Sequence, residues 1–583
     1  MAGTSGVGPS GDPRLDAMIS GSRWTGIVTY STPASALDYE VVARSYEPAI
    51  GLMSPLGASQ RDVLARVIDT DQAGAAAGFS VEGFTGLEVE AAPAMSGLGD
   101  IRAANTTLAG VTAFAYLPMD GHPLDGDMLF GSVGRDPVVG NFDFQTVLHE
   151  LGHAFGLEHP HEVSGGADWD SPEFTVMTYR AWSGQGIPRP MSERWGAAQT
   201  FMMSDIAALQ HLYGADFSTR AENTVYRWDP ATGASHVNGV AVLQPGANRI
   251  LQTIWDGGGV DTYDLSAYGT DVVVDLAPAG HSVFATGQLA YLGGGPNGGF
   301  ARGNVFNALQ YRGDPRSLIE NATGGSGDDA LSGNAASNVL QGRAGGDLLY
   351  GLGGHDTLDG GTGSDRMHGG PGNDTYRVDA AGDRTIEGKG GGRDTVIATA
   401  SWALEPHTEV LRLLGPAAQT GTGNDAGNVI IGTQGANRLD GRGGADRLRG
   451  LDGPDRLDGG AGPDVLIGGR GADVFRFVRV TDSPPAAPDR IRPGDGAPAF
   501  EGPGAAPGDR IDLRAIDADI TAPGDQAFAI AAGRGAGSLW LVDVDGTTHV
   551  RGDVNGRPSP DFGILIEDGA VLASAYTAAD FLL

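Results

Sequence analysis

Residues 324–377 read GGSGDDALS, GNAASNVLQ, GRAGGDLLY, GLGGHDTLD, GGTGSDRMH and GGPGNDTYR. Residues 423–476 resume the same nine-residue period as GNDAGNVII, GTQGANRLD, GRGGADRLR, GLDGPDRLD, GGAGPDVLI and GGRGADVFR. The eighth position is apolar in every row: Leu331, Leu340, Leu349, Leu358, Met367 and Tyr376, then Ile430, Leu439, Leu448, Leu457, Leu466 and Phe475. The sixth is always Asp or Asn. An internal repeat fixes architecture before any local propensity does. Here the first six residues turn, with glycine supplying positive φ, and the last three form a short strand with one inward side chain. A glycine-rich linker could share this composition but would need neither a period nor a fixed apolar position. The expected fold of these blocks is an all-β parallel β-roll.

The sixth-position acids are Asp329, Asp347, Asp356, Asp365 and Asp374 in the first block, and Asp446, Asp455, Asp464 and Asp473 in the second; Asn338, Asn428 and Asn437 stand in the remaining rows. Stacked turns place such carboxylates and turn carbonyls around a hard cation that takes six to eight oxygens, which points to Ca²⁺. Without the ion the stacked carboxylates repel, and the rows are expected to be disordered. In the stretch WDGGGVD, Asp256, Gly258 and Asp261 suggest one further calcium turn.

The composition agrees. The chain has 583 residues, 96 of them glycine, and 38 − 72 = −34 formal charges. Length suggests roughly three to five domains. The acidic balance argues against nucleic-acid phosphates as a partner. Having no cysteine excludes disulfides, thiolate zinc sites and an inhibitory thiol. The start, MAGTSGVGPSGDPRLDAMISG, lacks the basic and apolar regions of a cleavable signal peptide, and no run of 18 apolar residues occurs, so stable membrane insertion is not expected.

Upstream of the rows, Trp24 to about Gly214 reads as an α+β domain. Three helices are expected: one capped by Ser59, one capped by Asp143 and closing near Gly156, and one from Ser204 to Gly214. The second carries HELGHAFGLEH, residues 149–159. His149 and His153 are four apart and share a helix face, so both imidazoles can bind one zinc. Gly156 lets the chain turn, and His159 can return as a third ligand, leaving an open metal position. Glu150 is placed to reach a metal-bound water as general base, which is the chemistry of carbonyl hydrolysis. His122, His161 and His211 lack such spacing and read as ordinary histidines.

Downstream, EFTVMTYR supplies Met177 and, two positions on, Tyr179, a combination that resembles the Met-turn of metzincin proteases. HELGHAFGLEHP, VMTY and the nonapeptide rows together resemble the serralysin family of secreted bacterial zinc metalloproteases, as do SGSRWTGIVTYS, TAFAYLP, GDMLFG, SDIAALQHLYGA and IWDGGGVDTYDLS. The resemblance implies that His149, His153 and His159 bind Zn²⁺ and that Glu150 activates water. It implies Met177 as the apolar floor beneath the metal, and Tyr179 as an additional ligand that leaves to hydrogen-bond the oxyanion. GVTAFAYLP becomes the cleft edge that pairs with an extended peptide. His161 and the stretch EVSGGADWDSPE depart from the best-known members, so substrate preference does not transfer.

The resemblance also implies protein or peptide substrates and a one-step type I exporter that recognises an uncleaved C-terminal signal, here ending Phe581-Leu582-Leu583. The chain is then extracellular, from a Gram-negative bacterium, and monomeric. Latency inside the cell would fall to the N-terminal segment, to low calcium or to a separate proteinaceous inhibitor. The expected organisation is 1–20, a flexible N-terminal or short pro-segment; 21–215, the metzincin protease domain; 216–322, a bridging β region; 323–378, the first β-roll; 379–422, a spacer; 423–477, the second β-roll; and 478–583, a C-terminal β domain with the secretion signal. The competing reading is a calcium-dependent surface or adhesion protein with an inactive protease-like domain. A lipase or pore-former lacks support, with no suitable nucleophile elbow and no long apolar segment.

Overall fold

The computed structural model describes residues 2–34, 52–93, 98–119, 122, 124–163, 168–185, 193–504, 508–531 and 534–583. Residues 164–167, within EVSGGADWDSPE, lie outside that set. The chain forms two compact units that divide between Asn338 and Val339, inside the stretch expected as the first roll.

In the first unit a mixed sheet orders its strands Val89–Ala91, Val28–Ser31, Ile101–Thr106, Met128–Phe130 and Ala113–Ala115. The first four are parallel neighbours, while Ala113–Ala115 runs antiparallel to Met128–Phe130 at the edge. Three long helices, Ala58–Ile68, Phe142–Ala154 and Met203–Tyr213, accompany it. Their caps differ from expectation by a residue or two. Gly57 precedes the first helix, its N–H held by Gln60 Oε1 at 2.8 Å. Asn141 caps the second through the N–H of Phe144, because Asp143 is occupied in accepting from the N–H groups of Gly134 and Asp136.

The helix Phe142–Ala154 is buried along most of its length, with Leu148 and Leu151 fully enclosed. Each such leucine contributes about 1.5–3 kcal/mol relative to exposure. Residues 2–20, expected to be flexible, are instead packed. Gly3–Gly6 pairs antiparallel with Ser22–Thr25, and Met18 lies in the core while its carbonyl accepts from the N–H of Glu158. The physical reason is that Met18, with Val7, Leu15 and Ile19 packed against the same core, anchors a segment otherwise rich in glycine and polar residues. Leu251, Trp255 and Phe306, from the stretch expected as a bridge, belong to the same core.

The second unit is built from the rows. One wall stacks parallel strands in the register Leu340, Leu358, Tyr376, Val396, Leu411, Ile430, Leu448, Leu466 and Ile491. A second wall runs Gly421, Leu439, Leu457, Phe475, Ile511 and Phe581. The eighth-position residues from Leu340 to Phe475 are completely buried, so the apolar position fills the space between the walls. Residues 379–422 break the nine-residue period but not the ladder, because Thr395–Ala398 and Val410–Leu413 keep the wall continuous. The last residues, Phe581–Leu582, form a strand beside Arg510–Asp512.

Candidate active site

His149 and His153 project from one face of the helix Phe142–Ala154, and the turn after it returns His159. Gly156 makes that turn with φ +98°, where a Cβ would stand 2.7 Å from the Ser22 carbonyl. The Nε2 atoms converge: His149 to His159 is 3.1 Å and His153 to His159 is 3.0 Å. Each ring turns its Nδ1 outward. His149 donates to the Val176 carbonyl at 2.8 Å and His153 to the Leu157 carbonyl at 2.7 Å, while His159 faces Glu162 Oε1 at 2.9 Å. A carbonyl only accepts, so Nδ1 of His149 and of His153 carries the proton and each Nε2 presents a bare lone pair.

Burial holds all three imidazoles below their ordinary pKa, that of His159 down to about 3. They are therefore neutral, and facing lone pairs at this distance repel unless a cation lies between them. The spacing is close to the roughly 3.3 Å nitrogen–nitrogen edge of a tetrahedron with bonds of about 2.0–2.1 Å, so the donor set fits zinc. Glu150 is 5% exposed, and its Oε2 has no hydrogen-bond partner. Burial pushes its carboxyl up to about 8.

Met177 lies fully buried beneath the site, and a Cβ on Gly152 would stand 2.4 Å from its sulfur, so the glycine of HELGH is what lets the two meet. The Met177 turn is clamped by Asp205, whose carboxylate accepts from Thr175 Oγ1 and from the N–H groups of Val176 and Met202. Tyr179 is 43% exposed, its ring centroid 4.4 Å from that of His159 and 5.5 Å from that of His149. His161, read as an ordinary histidine, also arrives here on the turn Pro160–Val163, 5.0 Å from the ring of Tyr179. With His159 and Glu162 it forms a second potential ligand cluster. Its i+2 spacing from His159 gave no helical-face signal.

Two half-open cavities flank Glu150 and Tyr179 and share Ala113. All of their lining residues fall between positions 112 and 179, so the packed N-terminal segment enters neither lining. The edge strand runs past both cavities. The Thr112 carbonyl accepts from the N–H groups of Gly131 and Val133, and Tyr116 donates to the Asp127 carbonyl and accepts from the Gly126 N–H, so by antiparallel alternation Ala113 and Ala115 turn their N–H and C=O groups outward.

In the second unit one carboxylate oxygen of six stacked Asp residues accepts the backbone N–H of the residue eighteen positions earlier. Asp365 takes that of Asp347, Asp374 that of Asp356, Asp446 that of Asn428, Asp455 that of Asn437, Asp464 that of Asp446, and Asp473 that of Asp455. Oδ2 of these six acids is buried without a hydrogen-bond partner. Buried, orphaned carboxylate oxygens in columns are the donor set calcium requires. Asp329, in the first unit, differs, because its two oxygens accept from Val272 and Gly325.

Acids outside the rows were missed. Asp383, Asp394, Asp489 and Asp509 extend the same ladder, and Oδ2 of Asp394 and of Asp489 is orphaned. Glu387 closes a cluster with Asp374 and Asp394. The stretches holding these residues lack the period, which removed the signal. In the isolated turn, Asp256 accepts from Tyr226 and from Gly258 N–H, and Oδ2 of Asp261 is orphaned. Burial, aided by Asp256, lifts the Asp261 carboxyl to about 9.

Family models match the chain beyond the histidine cluster. Residues 215–399 match the family described as Peptidase M10 serralysin C terminal, and residues 422–457 and 449–477 match the RTX calcium-binding nonapeptide repeat. The metalloprotease AprA of Pseudomonas entomophila is 33% identical over 246 residues, covering 39% of this chain and 45% of that protein. The chain is similar to serralysins. Serralysin C of Dickeya chrysanthemi is 31% identical over 234 residues, covering 38% of this chain and 43% of the relative. The chain thus spans less than half the length of the curated proteins it matches. The R3 subunit of an Azotobacter vinelandii mannuronan C5-epimerase is similar over 27% of the chain and 78% of its own, at 30% identity and a TM-score of 0.20, a global likeness too slight to carry an argument.

Proposed function

We propose that the protein is a secreted zinc-dependent endopeptidase whose C-terminal rows fold on calcium. The observation that carries this reading is the convergence of three bare imidazole nitrogens beside an orphaned buried carboxylate, under an open sheet edge. An extended peptide pairs with the outward groups of Ala113 and Ala115, which explains recognition of many sequences, since backbone groups are common to all. His149, His153 and His159 hold the metal, with Met177 beneath.

When bound, zinc supplies Lewis acidity, polarising the peptide carbonyl and easing ionisation of water. Glu150 accepts the proton of the attacking water and returns it to the leaving amide nitrogen as the C–N bond breaks. In this role it works ionised, and a cation among the three imidazoles brings its raised pKa down. Tyr179, exposed at the cleft mouth, donates its O–H to the oxyanion that develops on the substrate.

No helix among the described residues is long and apolar enough to cross a membrane. Serralysin relatedness, the RTX rows and the acidic balance support an extracellular location reached through a type I exporter. Calcium is scarce in the cytosol, so rows that fold only outside would favour one-way release. A casein-hydrolysis assay on the zinc- and calcium-loaded protein tests the central claim. Glu150→Ala is expected to lose about 10²–10⁴-fold in kcat with zinc content retained; equal activity in the two proteins would end the mechanism.

A further inference from the structure

The two cavities flanking the site differ in charge. The one toward Thr112 is lined by Val133, Phe142 and Val176 with neutral Gln145 and Thr146. The one toward Leu117 is lined by Glu158 and Glu162 and carries no Lys or Arg among its described lining residues. Glu150, whose orphaned Oε2 marks where the peptide bond must lie, borders both. Glu162 engages Nδ1 of His159 with one oxygen, and Glu158 stands in the same cavity. Like charges confined together are costly, and a cation placed between them relieves that cost.

The strand edge supplies the polarity of the substrate. A peptide added to Ala113–Ala115 pairs most stably when antiparallel. Its N-terminal half then passes Leu117 and its C-terminal half passes Thr112, because the strand runs from Thr112 toward Leu117. On the reading of the site as an endopeptidase, we infer that the Leu117-side cavity is a subsite for a cationic side chain. The protein therefore cleaves preferentially where Lys or Arg lies within two residues N-terminal to the scissile bond and an apolar residue follows it.

The test uses the full chain with zinc and calcium, and three internally quenched peptides identical except for Lys, norleucine or Glu immediately before an X–Leu bond. Norleucine keeps the aliphatic stem and removes the ammonium. Expected kcat/KM is about fivefold higher for Lys than for norleucine, and lower again for Glu, the size of a partly exposed charge pair. Glu158→Lys should reverse the Lys-over-Glu order. Equal rates for Lys and norleucine, or an unreversed order in a Glu158→Lys protein that still cleaves, would overturn the subsite alone. Failure to cleave any peptide would overturn the endopeptidase reading and the subsite with it.

Discussion

The imidazole cluster and the carboxylate columns both draw buried donor atoms together, yet they are held differently. In the first unit the ligands are neutral, and each is oriented by a hydrogen bond of its own, to Val176, Leu157 or Glu162. Their helix is packed in a core that does not involve the metal. In the second unit the ligands are acids, and the hydrogen bond that orients each one ties it to a residue two rows away. Burial makes every such carboxylate costly to ionise. The comparison teaches that zinc would enter a site already built, whereas calcium must help build the one it occupies.

The largest effect that follows is calcium removal. Each ion present at a hundred times its dissociation constant adds about 2.7 kcal/mol, and about 1 kcal/mol moves a transition by roughly 2–4 °C in a unit of this size. Several ions lost together should lower the melting of the row-containing unit on the order of tens of degrees, seen by scanning calorimetry of calcium-depleted against calcium-saturated protein. The helix carrying His149 should lose far less. A single transition that ignores calcium would erase the distinction between the two regions.

The row-containing unit was largely legible because a period is a long-range statement. Leu340 and Leu448 are buried for the reason that their neighbours nine residues away are. The approach of His149 and His153 was legible because i, i+4 spacing on a helix fixes a face. What escaped had no period to reveal it. Thr395–Ala398 continues the wall through a stretch without repeat, and Asp394, Glu387 and Asp489 enter the columns from outside the rows. The packing of residues 2–20 and the inclusion of Trp255 in the first core depend on tertiary contacts between segments distant in sequence, and local composition carries no trace of those.

A smaller effect sharpens the first half of the comparison. If the imidazole cluster is prebuilt, Tyr179→Phe should leave zinc affinity within about threefold and KM nearly unchanged, while kcat falls by about 10²-fold, the worth of one oxyanion donor. Loss of zinc in this variant would instead make Tyr179 a structural ligand, and the site less complete than its geometry indicates.

The smallest and most discriminating effect is in pH. Burial raises Asp446 and Asp455 from the ordinary 3.8 to about 8 and Asp489 to about 9. With the cation absent, the folded form holds these protons between pH 4 and 8 while the unfolded chain has released them. Stability therefore declines as pH rises, being fully present below about 4 and lost as pH passes through the folded values. Calcium reverses the sign, because it binds only the ionised acids and competes with protons for them. Calcium-free protein should thus melt higher at pH 5 than at pH 8, calcium-saturated protein the other way round, and the gain from calcium should widen as pH increases. The imidazole cluster shifts the other way, since burial disfavours charging its rings and calcium does not compete there. Parallel pH profiles with and without calcium would show that the carboxylates of the rows are not where the ion resides.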